Sequence, residues 1–79
     1  MDIDWHKPAP NPETLLILPL PRQGAIVAWR DKTGTVHGCR DVSYGLNFDT
    51  ILSAWITDAR KRGLEIEITA PRARHLAGL

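Results

Sequence analysis

In Asn47-Phe-Asp-Thr-Ile-Leu-Ser-Ala-Trp-Ile-Thr-Asp-Ala-Arg-Lys-Arg-Gly63, the residues Phe48, Ile51, Leu52, Trp55, Ile56 and Ala59 recur at i, i+3, i+4, i+7, i+8 and i+11. That spacing lines one stripe of a 3.6-residue helix and predicts an amphipathic helix over 47–62. Asn47 is placed to cap the free amides at its start, and Leu46 to pack on Ile51 as a hydrophobic staple. Asp49 suits the positive end of the helix dipole, and Arg60, Lys61 and Arg62 the negative end. Gly63 then permits the left-handed residue that commonly closes a helix.

Upstream of this helix the periodicity changes from 3.6 to 2. Thr14-Leu-Leu-Ile-Leu-Pro-Leu20 is short, apolar on both faces and bounded by prolines, which predicts a first strand ending near Leu18. Pro19, Pro21 and Gly24 mark a turn. Ala25-Ile-Val-Ala-Trp-Arg30 predicts a second strand, and Asp31-Lys-Thr-Gly34 a hairpin connection. Thr35–Val42 is a weaker third strand, in which strict alternation puts His37 and Cys39 on one face and Gly38 invites a bulge. Downstream, Leu64, Ile66, Ile68 and Ala70 alternate with Glu65, Glu67 and Thr69, a strand with one buried and one wet face that Pro71 stops.

The predicted order is β-β-β-α-β, an α+β two-layer sandwich. It comprises a three-stranded antiparallel meander, a helix over one sheet face, and a strand returning to the sheet. Residues 1–13, with Pro8, Pro10 and Pro12 at alternate positions, form an extended arm, 14–70 a single domain, and 71–79 a basic tail. Leu16, Leu18, Ile26 and Val36 supply the apolar part of the face away from the helix, or of the face beneath it, since the pattern leaves the parity open.

Seventy-nine residues with 43% hydrophobic content fit one folded domain near the lower size limit for an unstapled core. The single cysteine allows no internal disulfide and points to a thiol-reducing cytosol. The opening Met-Asp-Ile-Asp-Trp-His lacks the basic and apolar regions of a signal peptide, and no run is long enough to span a bilayer. Net charge is +1. The last quarter is more basic, with Arg60, Lys61, Arg62, Arg72 and Arg74 against Glu65 and Glu67.

No motif specifies catalysis. A His37–Cys39 pair lacks the third orienting group and oxyanion site that such chemistry needs. The scattered His6, His37 and His75 offer no zinc spacing, and no cofactor is implied. The expectation is therefore a non-enzymatic protein-binding module. Trp5 either folds back on the domain, the usual fate of an indole, or stands as an exposed anchor; it is a candidate partner contact. Arg60, Lys61, Arg62, Arg72 and Arg74 are the other candidates, and an open sheet edge or face would suit another protein or a second copy. The alternative makes the same basic residues a phosphate-binding patch of a small nucleic-acid-binding protein. In size and layout alone, the chain resembles the small proteins that phages and mobile elements encode to bind and block host machinery, anti-CRISPR inhibitors among them. That resemblance implies an inhibitor occupying the surface of a host nucleic-acid-handling complex.

Overall fold

The computed structural model describes residues 11–78, Cys39 by its backbone alone. Its elements follow the expected order: β1 (Pro12–Leu20), β2 (Gly24–Asp31), β3 (Val36–Ser43), α1 (Phe48–Lys61) and β4 (Glu65–Ile68). A 3-10 helix, Pro71–Ala77, follows. The sheet order is β3-β2-β1-β4. β1 pairs antiparallel with β2 and β2 with β3, and β4 returns parallel to β1, with Thr14 opposite Glu65 and Ile17 opposite Ile68. Among the described strands β3 and β4 are the outermost, so α1 carries the chain from one side of the β3-β2-β1-β4 array to the other.

The odd-numbered residues of β1 and β2 face α1. Leu15, Ile17, Ala25, Val27 and Trp29 form one core with Phe48, Leu52, Trp55, Ile56 and Ala59 of the helix stripe. Burying a tryptophan such as Trp29, which has no exposed surface, is worth several kcal/mol to the fold. Pro19 extends β1 beyond Leu18 because its missing amide lies past the end of the β4 pairing, where β1 has no neighbour on that side. The close approach of β2 to β3 needs Gly24, where a Cβ would lie 1.8 Å from the Val42 carbonyl oxygen.

Three local expectations fail, each for a visible reason. β3 does not alternate strictly. Its register against β2 passes from Gly38 opposite Ala28 to Arg40 opposite Val27, so Cys39 is the extra residue of a bulge and the parity reverses there. His37 and Val42 consequently share the helix face, His37 stacking on Trp29 and Val42 joining the core. Asn47 makes no side-chain cap hydrogen bond. Leu46 does not staple onto Ile51: it is fully exposed, and Tyr44 packs against Phe48 instead.

The other end of α1 closes as expected. Gly63 has φ 73°, its amide donates to the Arg60 carbonyl, and the Leu64 amide donates to that of Ala59. These are the paired bonds of a Schellman motif. Leu64 then feeds β4. After β4 the 3-10 helix runs back along α1 and buries Ala73 in the core, so the basic tail is docked over that span.

Candidate functional site

The fold gives the molecule two chemically different ends. At one lie the β1–β2 turn, the Tyr44–Asn47 link, the start of α1 and the start of the 3-10 helix. At the other lie the β2–β3 turn, the end of α1 and the entry to β1.

At the first end, the Gln23 amide donates to the Leu20 carbonyl at 3.0 Å, closing a turn with Pro21 second and Arg22 third. Arg22 has φ 67°, the left-handed conformation that this turn pattern usually reserves for glycine. The Tyr44 amide donates to the Gln23 carbonyl at 2.8 Å, which docks the link against the turn. The Arg72 guanidinium stands 4.7 Å from the Tyr44 ring centroid, and that ring lies 4.9 Å from Phe48. A cation over an aromatic face contributes about 0.5–1 kcal/mol at an exposed site. Beside this stack Leu46 is 101% exposed. His75 and Asp49 pair at 3.6 Å on the neighbouring surface.

The second end holds Arg60, Lys61 and Arg62. Arg60 donates to the Ala77 carbonyl at 3.2 Å, which ties α1 to the 3-10 helix. Arg62 lines a shallow groove of about 380 Å³ with Asn11, Pro12, Lys32 and Leu64. Lys61 is exposed. The basic residues read as one candidate patch therefore do not converge. Arg72 belongs to the Tyr44 end, while Arg60–Arg62 lie at the far end of a 14-residue helix, roughly 20 Å away at 1.5 Å per residue. The cause is the 3-10 helix, which begins beside the start of α1. Arg74 is exposed on that helix. Trp5 lies outside the described residues.

A third cluster closes the β2–β3 turn. Asp31 Oδ2 meets His37 Nε2 at 2.9 Å. Its Oδ1 accepts from the Thr33 hydroxyl at 2.5 Å and from the amides of Thr33 and Thr35 at 2.9 and 3.0 Å. The Thr33 hydroxyl and His37 in particular hold the Asp31 carboxyl well below the usual carboxylate range. His37 stacks on Trp29 with ring centroids 4.3 Å apart. Both oxygens of Asp31 are thus engaged in holding its own hairpin, and no hydroxyl or thiol is in hydrogen-bond contact with His37 among the described side chains. Nor do any three described His, Cys, Asp or Glu residues come together to hold a metal ion. No described helix is long and apolar enough to cross a membrane.

No family model, curated protein or solved structure matches the chain. The functional reading therefore rests on the surface itself. Of the side chains gathered at the Tyr44 end, the sequence reading named Arg72 as a candidate and did not name Arg22, Tyr44 or Leu46. Pro21 marked the turn, and nothing in the pattern marked Leu46 as turned outward.

Proposed function

We propose that the chain is a non-catalytic protein-binding module whose contact surface is the end bearing Arg22, Tyr44, Leu46 and Arg72. The observation that carries this reading is Leu46, a leucine wholly in solvent two residues after Tyr44, whose ring faces Arg72. Tyrosine and arginine are residue types that dominate interface energetics, and an apolar side chain among them is a natural central contact. The outer strands of the described sheet are less suited to the task. β3 carries its bulge and the exposed Arg40 and Asp41, and β4 is four residues long, features that blunt strand addition. The cytosol is the compartment that the single cysteine favours. Blocking a nucleic-acid-handling complex by occupying its surface is the form of binding that the likeness to small phage-encoded inhibitors suggests.

The test is affinity capture from native lysate with the tagged chain, its Leu46→Asp and Arg72→Ala variants, and a Lys61→Ala control, each with and without nuclease. The proposal expects a stoichiometric protein partner that survives nuclease, persists with Lys61→Ala and is lost with Leu46→Asp. Undiminished capture by Leu46→Asp and Arg72→Ala would remove this end as the contact surface.

A second reading, nucleic-acid binding, draws on the groove that sets Lys32 beside Arg62. It requires affinity that falls as salt rises and weakens with Lys32→Ala. Salt-independent or absent binding would dismiss it.

A further inference from the structure

Arg22, Tyr44, Leu46 and Arg72 reach one end of the molecule from three separate parts of the chain. The β1–β2 turn brings Arg22, because the carbonyl of the next residue, Gln23, accepts the Tyr44 amide at 2.8 Å. The 3-10 helix brings Arg72, whose guanidinium stands 4.7 Å from the Tyr44 ring centroid. Leu46, wholly exposed, follows in the link to α1.

The unmatched charge at this end is of one sign. Within residues 20–23, 43–49 and 70–72 the charged side chains are Arg22, Arg72 and Asp49. Asp49 already faces His75 at 3.6 Å. Among the described residues neither Arg22 nor Arg72 is paired with a carboxylate. The next acid along β3, Asp41, lies opposite Ile26, on the sheet face away from α1. A guanidinium laid over a ring keeps its N–H donors in its own plane, where two of them can donate to one carboxylate. Leu46, beside these cations in the chain, asks for an apolar neighbour instead.

We propose that this end takes an acidic protein segment, with carboxylates meeting Arg22 and Arg72 and an apolar side chain meeting Leu46. The inference rests on the reading of this end as the contact surface and adds the chemistry of what it meets. A second copy of the chain does not fit, since symmetric pairing through this end would set arginines against arginines. A nucleic-acid strand satisfies only the cations. Arg72 lies over the Tyr44 ring and Phe48 packs tilted against it with centroids 4.9 Å apart, so that ring is no open platform for a base. Leu46 gains nothing from a phosphate backbone.

The test follows the amide NMR signals of the isotope-labelled full chain during titration with three probes. These are the peptide Glu-Glu-Leu-Phe-Glu-Glu, its counterpart Gln-Gln-Leu-Phe-Gln-Gln, and an oligothymidylate of equal length. The acidic peptide is expected to move the Tyr44 and Leu46 signals and to bind about tenfold more tightly than the glutamine peptide. Arg22→Glu and Arg72→Glu should each weaken it about tenfold, while Lys61→Glu, the same charge change at the far end, should keep it within about twofold. Arg22 stands in an exposed turn, so Arg22→Glu carries the test alone if Arg72→Glu unfolds. Equal affinity for the two peptides, lost with Leu46→Ser, would overturn the acidic partner and leave this end as a contact surface. Binding of neither peptide, or shifts confined to other residues, would overturn the inference, with capture by the Leu46→Asp chain deciding the contact surface separately. Tighter binding of the oligothymidylate at the same signals would assign the end to nucleic acid and overturn it too.

Discussion

Arg22 holds a positive φ in a turn where glycine would meet no Cβ penalty. Arg22→Gly should raise stability by about 0.5–1 kcal/mol, the relief of a left-handed side chain less the extra freedom glycine gives the unfolded chain. Chemical denaturation reads it. If arginine is retained there for contact, the same variant should weaken partner capture, a gain in stability coupled to a loss of binding. Asp31 provides a different residue-scale test. Its folded-state carboxyl titrates below the ordinary range, so its contribution is complete above about pH 4 and is lost as the pH falls below that value. Asp31→Asn should lower the denaturation midpoint at pH 7, and the gap from wild type should narrow on acidification. A gap that is constant with pH would mean the Thr33, Thr35 and His37 contacts do not favour the charged form.

Among the elements, α1 was legible almost to the residue because one stripe, one closing glycine and one charge gradient agree. β3 was not, because a single extra residue at Cys39 reverses the faces, and parity arguments cannot survive an insertion they do not detect. The link into α1 failed similarly: a staple needs Leu46 turned inward, and the docking of Tyr44 on Gln23 and Phe48 turns it out. The 3-10 helix gains its order from tertiary contact rather than from its own short sequence. Ala73→Arg should therefore destabilise the protein by about 1–3 kcal/mol through overpacking against the core. It should also loosen Arg72 from Tyr44, readable as a change in the Tyr44 ring signals by NMR.

For the molecule as a whole, the separation of two ends by α1 is what the linear charge count could not reveal. Five basic residues close in sequence became two groups because the chain reverses after β4. At this scale, Leu46→Asp should leave global stability within about 0.5 kcal/mol of wild type, since an exposed side chain contributes little to folding. A large destabilisation would instead make Leu46 part of the fold. The strand order has a consequence for synthesis. β1, the first described strand to leave the ribosome, is paired on its second side by β4, the last, so that apolar side stays bare until β2, β3 and α1 have been made. A nascent or prematurely ended product would display that side as a site for chaperones or for aggregation, a hazard the finished protein no longer carries.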